Sequence, residues 1–89
     1  MVFFYTYILE SLESPGTRYI GYTADLRRRL ERHNSGRCRH TREHRPWKLK
    51  LYIAFEDKGL ARDLERYLKS GSGHAFANRH FWTEAHSDP

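Results

Sequence analysis

The sequence predicts an α+β domain in which a three-stranded antiparallel sheet is flanked by helices, in the order β-β-α-β-α-α. Three observations predict it. Two short aromatic and β-branched runs are joined by a Ser-Pro-Gly turn signal; a later run alternates apolar and polar residues with period two; and two segments repeat leucine at helical spacing behind a capping residue. The 89 residues suit one compact unit, since a domain takes on the order of 100 residues to bury an adequate core. That unit is expected over residues 1–83, with 84–89 as a flexible C-terminal tail.

Val2-Phe3-Phe4-Tyr5-Thr6-Tyr7-Ile8-Leu9 supplies the first strand and Arg18 to Tyr22 the second, with Ser14-Pro15-Gly16 turning the chain between them. Antiparallel pairing brings Tyr7 and Tyr19 near each other. Thr23 is a candidate cap for a helix from Ala24 to Ser35, with Asp25 in its first turn and Asn34-Ser35-Gly36 as its stop. Residues 37–47 carry four Arg with no periodicity and read as a basic loop closed by Pro46. In the third strand, Lys48 to Phe55, alternation places Leu49, Leu51, Ile53 and Phe55 on one face. Asp57 starts a second helix whose stripe is Leu60, Leu64 and Leu68, widened by Ala61 and Tyr67 and stopped at Ser70-Gly71. A last helix is expected from His74 to Trp82.

Sixteen Lys and Arg against eleven Asp and Glu leave a net charge of +5, which favours polyanionic partners such as nucleic acid. The single Cys38 excludes an internal disulfide and suits a reducing compartment, so a cytoplasmic location is expected. The opening apolar run is far shorter than the roughly 20 residues that span a bilayer, and no membrane partner is expected.

Among Arg27, Arg28 and Arg29, helical geometry singles out the last. At about 100° per residue, Arg29 and His33 flank the inward Leu26–Leu30 stripe, whereas Arg27, Arg28 and Arg32 point away. An inward guanidinium needs an anionic partner, and a bound phosphate is one candidate; a snorkelling side chain or a salt bridge is the alternative. Glu65 borders the stripe of the second helix, where it could hold a hard divalent cation or pair with Lys69. Cys38, His40 and His44 lack a CxxC half-site, so structural zinc is not expected. Tyr19 shares a strand face with Gly21, whose missing side chain would let a ligand or another backbone approach.

Several motifs fall in one order: Tyr5-Thr6-Tyr7-Ile8, Tyr19-Ile20-Gly21-Tyr22-Thr23, Asp25 to Leu30, His33-Asn34-Ser35-Gly36, Arg45 to Leu49, Ala61 to Gly71 and Ser72 to Phe76. Together they closely resemble the GIY-YIG nuclease domain, in the form of small bacterial proteins made of that domain alone. The second signature is literal; in the first, Tyr5-Thr6-Tyr7 replaces Gly-Ile-Tyr and keeps the final tyrosine. The resemblance implies a metal-dependent endonuclease acting on DNA, with structure-specific cutting in repair or recombination as its setting. It implies that Tyr7 and Tyr19 belong to the active site, that Arg29 contacts the scissile phosphate and that Glu65 binds one Mg²⁺ or Mn²⁺. His33 and Asn78 match a histidine and an asparagine that take part in some members. Arg37, Arg39, His40, Arg42 and Arg45 of the basic loop are expected to contact the nucleic-acid backbone. The rival expectation is a nucleic-acid-binding module that keeps the fold with little activity of its own.

Overall fold

The computed structural model describes residues 2–82; the expected tail, 84–89, lies outside the described residues. The elements are β1 (Phe4–Ser11), β2 (Arg18–Thr23), α1 (Leu26–Asn34), a 3₁₀ turn (Arg42–His44), β3 (Trp47–Phe55), α2 (Lys58–Leu68) and α3 (Gly71–His80). The sheet runs β2-β1-β3 with both pairings antiparallel, so β1 is the central strand. The α+β class and the element order are those read from the sequence.

Every residue of β1 from Thr6 to Ser11 is buried, because helices cover both faces of the sheet. Strand alternation sorts the core in two. Tyr7 and Leu9 point to one face, with Trp47 and, from α1, Leu26 and Leu30. Ile8 points to the other, with Leu68 of α2, Ala77 of α3 and Trp82. On that second face the Thr6 hydroxyl also donates to the Ala61 carbonyl at 2.6 Å, fastening α2. In the β1–β2 turn, Thr17 N–H donates to the Ser14 carbonyl at 2.9 Å and Gly16 takes φ +97°, as a Pro-Gly turn requires.

The structure corrects the expected face of β3. Leu9 opposes Leu49 and Ile8 opposes Leu51, so Lys50 between them is an unpaired bulge residue. The extra residue turns Leu49 toward the α1 face and Leu51 toward the α2 face, instead of both to one side. Lys50 instead reaches the buried Glu10 carboxylate at 3.3 Å, which Arg18 also meets at 3.2 Å and Lys48 at 3.7 Å. Burial works against that charge, but Lys50, the Gly16 N–H and Arg18 outweigh it and hold the Glu10 carboxyl below its usual range.

The helices start and face slightly differently from expectation. Asp25, not Thr23, caps α1 by accepting from Arg28 N–H at 3.1 Å, while the Thr23 hydroxyl accepts from Asp25 N–H. At the other end of α1, Asn34 exchanges two hydrogen bonds with the Trp47 backbone, at 2.6 and 3.0 Å, which pins the helix to the start of β3. On α2 the buried stripe is Ala61 and Leu68 with Leu64 partly covered; Leu60 and Tyr67 are 52% and 42% exposed, because the sheet is met by the i, i+3, i+7 row. Helix α3 begins at Gly71 rather than at His74, capped by Ser70. Gly73 permits the tight α2–α3 corner, since a β-carbon there would collide with the Tyr67 carbonyl. Gly73→Ala is therefore expected to destabilise the fold by about 1–3 kcal/mol, read as a lower midpoint in urea with unchanged slope.

Candidate active site

The site begins with a side chain that needs a missing one. Tyr7 on β1 opposes Gly21 on β2, and its ring lies where a Gly21 β-carbon would sit. The space expected beside Tyr19 for a ligand is thus filled by Tyr7 itself. Tyr19, opposite Leu9, is the diagonal neighbour on the same face, with ring centroids 6.4 Å apart. His33 of α1 closes the group, 6.0 Å from the Tyr7 ring and 4.9 Å from that of Tyr19. The Tyr7 hydroxyl is 2.9 Å from His33 Nε2, and His33 Nδ1 is 2.9 Å from the Thr41 hydroxyl.

Helix α1 presents its arginines as its periodicity predicts. Arg27, Arg28 and Arg32 are exposed, Arg29 is half-buried and His33 is 2% exposed. Arg29 Nη1 donates to the Tyr22 carbonyl at 3.2 Å, and its guanidinium lies close enough to the Tyr7 hydroxyl for its charge to favour the phenolate. A cleft of about 310 Å³ opens beside it, lined by Thr23, Ala24, Asp25, Arg28, Arg29 and Arg32. A second, of about 300 Å³, shares Arg28 and Arg32 and extends to Arg37. The two make a basic strip from Arg29 to the start of the loop.

Burial dominates the electrostatics. It pushes Tyr7 up to about 12, against the opposing pull of Arg29, and it pushes His33 down to about 4, helped by the nearby charges of Arg29 and Arg32. Both groups are neutral at pH 7. The unfolded chain binds more protons than the folded one between about pH 4 and 6.5, so the contribution of neutral His33 is full above 6.5 and falls away on acidification. Above pH 10 the unfolded Tyr7 ionises first, and stability falls again as pH rises toward 12. A stability plateau between about pH 6.5 and 10 is expected in a thermal-melt series, with the acid shoulder absent in His33→Gln.

The remaining expected residues lie apart from this group. Glu65 is on α2, across the sheet from α1, and accepts from Lys69 at 2.9 Å with its side chain 23% exposed. The two helices approach the same edge residue: Arg29 bonds the Tyr22 carbonyl, and Arg62, one turn before Glu65, stands 5.5 Å over the Tyr22 ring. Asn78, on the exposed side of α3, accepts from Trp82 Nε1 at 2.8 Å. Arg37, Arg39, His40, Arg42 and Arg45 are all exposed. The loop is more ordered than its aperiodic sequence suggests, because it contains the 3₁₀ turn and because Arg45 Nε donates to the Arg42 carbonyl at 2.9 Å.

Among the described residues no group of three or more His, Cys, Asp and Glu is placed to hold a metal. A lone carboxylate such as Glu65 still fits Mg²⁺, which takes one or two protein oxygens and fills its shell with water and phosphate oxygens. Lys69 would then have to swing aside. The residue that sequence reasoning missed is Thr41, which is fully buried and joined to both His33 and, through its carbonyl, Trp47 Nε1 at 2.7 Å. No local pattern marks it, since it stands in an aperiodic basic run.

Two tyrosines, a histidine and an arginine gather on the α1 face of a small α+β domain, and the arginine also lines a cleft walled by Arg28 and Arg32. The family model for the GIY-YIG catalytic domain matches residues 3–78. The chain belongs to the GIY-YIG family, a nuclease superfamily. Its relatives include a UPF0213 protein of Streptococcus pneumoniae serotype 4, 46% identical over 66 residues. That match spans 73% of this chain and 65% of the pneumococcal protein, just under two thirds of its length. UPF0213 protein SAG0778 of Streptococcus agalactiae is 44% identical over 73% of each chain. The solution structure of UPF0213 protein BH0048 from Bacillus halodurans is similar with a TM-score of 0.52 at 32% identity, covering 89% of this chain and 86% of that one.

Proposed function

We propose that the protein is an endonuclease that hydrolyses phosphodiester bonds in DNA, with one Mg²⁺ or Mn²⁺ held by Glu65. The observation that carries this reading is the Tyr7 hydroxyl, 2.9 Å from His33 Nε2 and near the Arg29 guanidinium, which itself lines an arginine-walled cleft. Arg29, anchored on the Tyr22 carbonyl, offers its remaining donors to the charge that builds on phosphorus as water attacks. Tyr7 takes the proton of that water while handing its own to His33 Nε2. The transfer accompanies attack, because burial favours the neutral form of both Tyr7 and His33 in the resting site. Tyr19 packs on the His33 ring and holds it in line. When bound, the metal ion supplies charge stabilisation at the leaving oxygen. Arg28, Arg32, Arg37 and the other loop arginines bind the backbone without reading sequence.

A cytoplasmic role in DNA repair or recombination belongs to this reading. The chain has one cysteine, and no helix of the described residues is long and apolar enough to cross a membrane. The Glu65–Lys69 pair favours the second reading, a binding module with little activity of its own. Incubating the protein and Glu65→Ala with Mg²⁺ or Mn²⁺ and labelled duplex, flap, junction and single-stranded substrates separates the two. Cleavage by the wild type alone supports the nuclease; salt-sensitive binding without cleavage supports the module.

A further inference from the structure

We infer that Thr41 is the positioning residue that holds His33 in the tautomer with hydrogen on Nδ1, leaving Nε2 as an acceptor aimed at the Tyr7 hydroxyl. The inference rests on the proposed roles of Tyr7 and His33, but its structural half stands without them.

Tyr7, His33 and Thr41 are 1%, 2% and 0% exposed, so each donor among them needs an acceptor inside the protein. Arg29 beside the Tyr7 hydroxyl is only a donor, so the acceptor for the Tyr7 hydrogen is His33 Nε2 at 2.9 Å. A neutral imidazole that accepts at Nε2 carries its hydrogen on Nδ1, and the atom facing Nδ1 at 2.9 Å is Thr41 Oγ1. The Thr41 hydrogen in turn has the Cys38 carbonyl at 3.4 Å. One direction of donation, Tyr7 to His33 to Thr41 to Cys38, satisfies every member. In the reversed imidazole His33 Nε2, the hydrogen-bond partner of the Tyr7 hydroxyl, would itself be a donor.

Thr41 is held for this purpose by contacts that do not involve its hydroxyl. Its N–H donates to the Cys38 carbonyl at 3.2 Å, and its own carbonyl accepts from Trp47 Nε1 at 2.7 Å, deep under the sheet. The hydroxyl can be removed without disturbing either. Its place corresponds chemically to the carboxylate that orients a catalytic imidazole elsewhere, with an uncharged oxygen in its stead. The imidazolium formed when Nε2 takes the Tyr7 proton keeps the same Nδ1–H donor on the same Thr41 oxygen.

The test compares Thr41→Val, which keeps the shape and loses the hydroxyl, with Thr41→Ser, which keeps it. In uniformly ¹⁵N-labelled protein the His33 ring nitrogens report the tautomer directly, whether or not the protein cleaves anything. Wild type and Thr41→Ser are expected to show hydrogen on Nδ1, and Thr41→Val a shift of population toward Nε2–H. In single-turnover cleavage Thr41→Val is expected to be slowed roughly tenfold or more with unchanged DNA affinity, and Thr41→Ser to recover most of the rate. Hydrogen on Nε2 in the wild type, or an unaltered tautomer in Thr41→Val, overturns the inference. A tautomer that shifts in a protein showing no cleavage at all supports the structural half and removes the nuclease reading instead. Should Thr41→Val fail to fold, the wild-type tautomer together with Thr41→Ser still decides the question.

Discussion

Arg29→Ala is expected to slow cleavage by roughly a hundredfold or more while leaving the fold in place. Loss of one preorganised donor to a developing oxyanion costs about 3–4 kcal/mol at the transition state, and Arg29 is the arginine of α1 that turns inward to the Tyr7 hydroxyl. The stability loss should be small, because what the guanidinium gives the fold is a hydrogen bond to the Tyr22 carbonyl at 3.2 Å. Arg28→Ala and Arg32→Ala are the controls: they line the same cleft but point outward, so they should weaken binding and its salt dependence more than the chemical step. Single-turnover rates at saturating protein make the comparison. Near-normal turnover by Arg29→Ala would remove it from the site.

Glu65→Ala is expected to abolish cleavage that depends on Mg²⁺ and to leave DNA affinity nearly unchanged. Among the described residues no group of three or more His, Cys, Asp and Glu is placed to take over its role. The loss of its exposed pair with Lys69 should cost the fold little, about 0.3–0.5 kcal/mol for an i,i+4 pair, so an inactive variant would not be an unfolded one. Circular dichroism with binding and cleavage measured at increasing Mg²⁺ tests the three parts together. Residual cleavage at saturating metal would show that the ion is held elsewhere.

Local periodicity revealed what depends on one element at a time. Helical phase separated Arg29 and His33 from Arg27, Arg28 and Arg32, and the structure has them so placed because α1 packs by the same Leu26–Leu30 stripe. The order of strands and helices was legible for the same reason. What was not legible depends on a partner distant in sequence. Leu49 and Leu51 face opposite ways because the ladder with β1 carries a bulge that the alternation of β3 does not announce. The opening at Gly21 is filled because Tyr7 lies across it, and Leu60 is outside because α2 meets the sheet by a different row. Thr41 escaped notice entirely, since its meaning comes from His33, eight residues away on a helix. Glu65 offers an intermediate case: its pairing with Lys69 is just what sequence spacing suggests, and only the resemblance points to a metal.

The bulge at Lys50 has a consequence for chain length. A single-residue deletion inside a buried strand ordinarily turns every residue beyond it to the wrong face. At Lys50 it would do the reverse: Leu49 would still oppose Leu9, Leu51 would still oppose Ile8, and the ladder would become regular. What would be lost is one of the cations around Glu10, leaving Arg18 and Lys48 to neutralise it. This strand therefore has a point at which its length can change by one without inverting the sheet, and that point lies outside the tyrosine–histidine group on β1, β2 and α1.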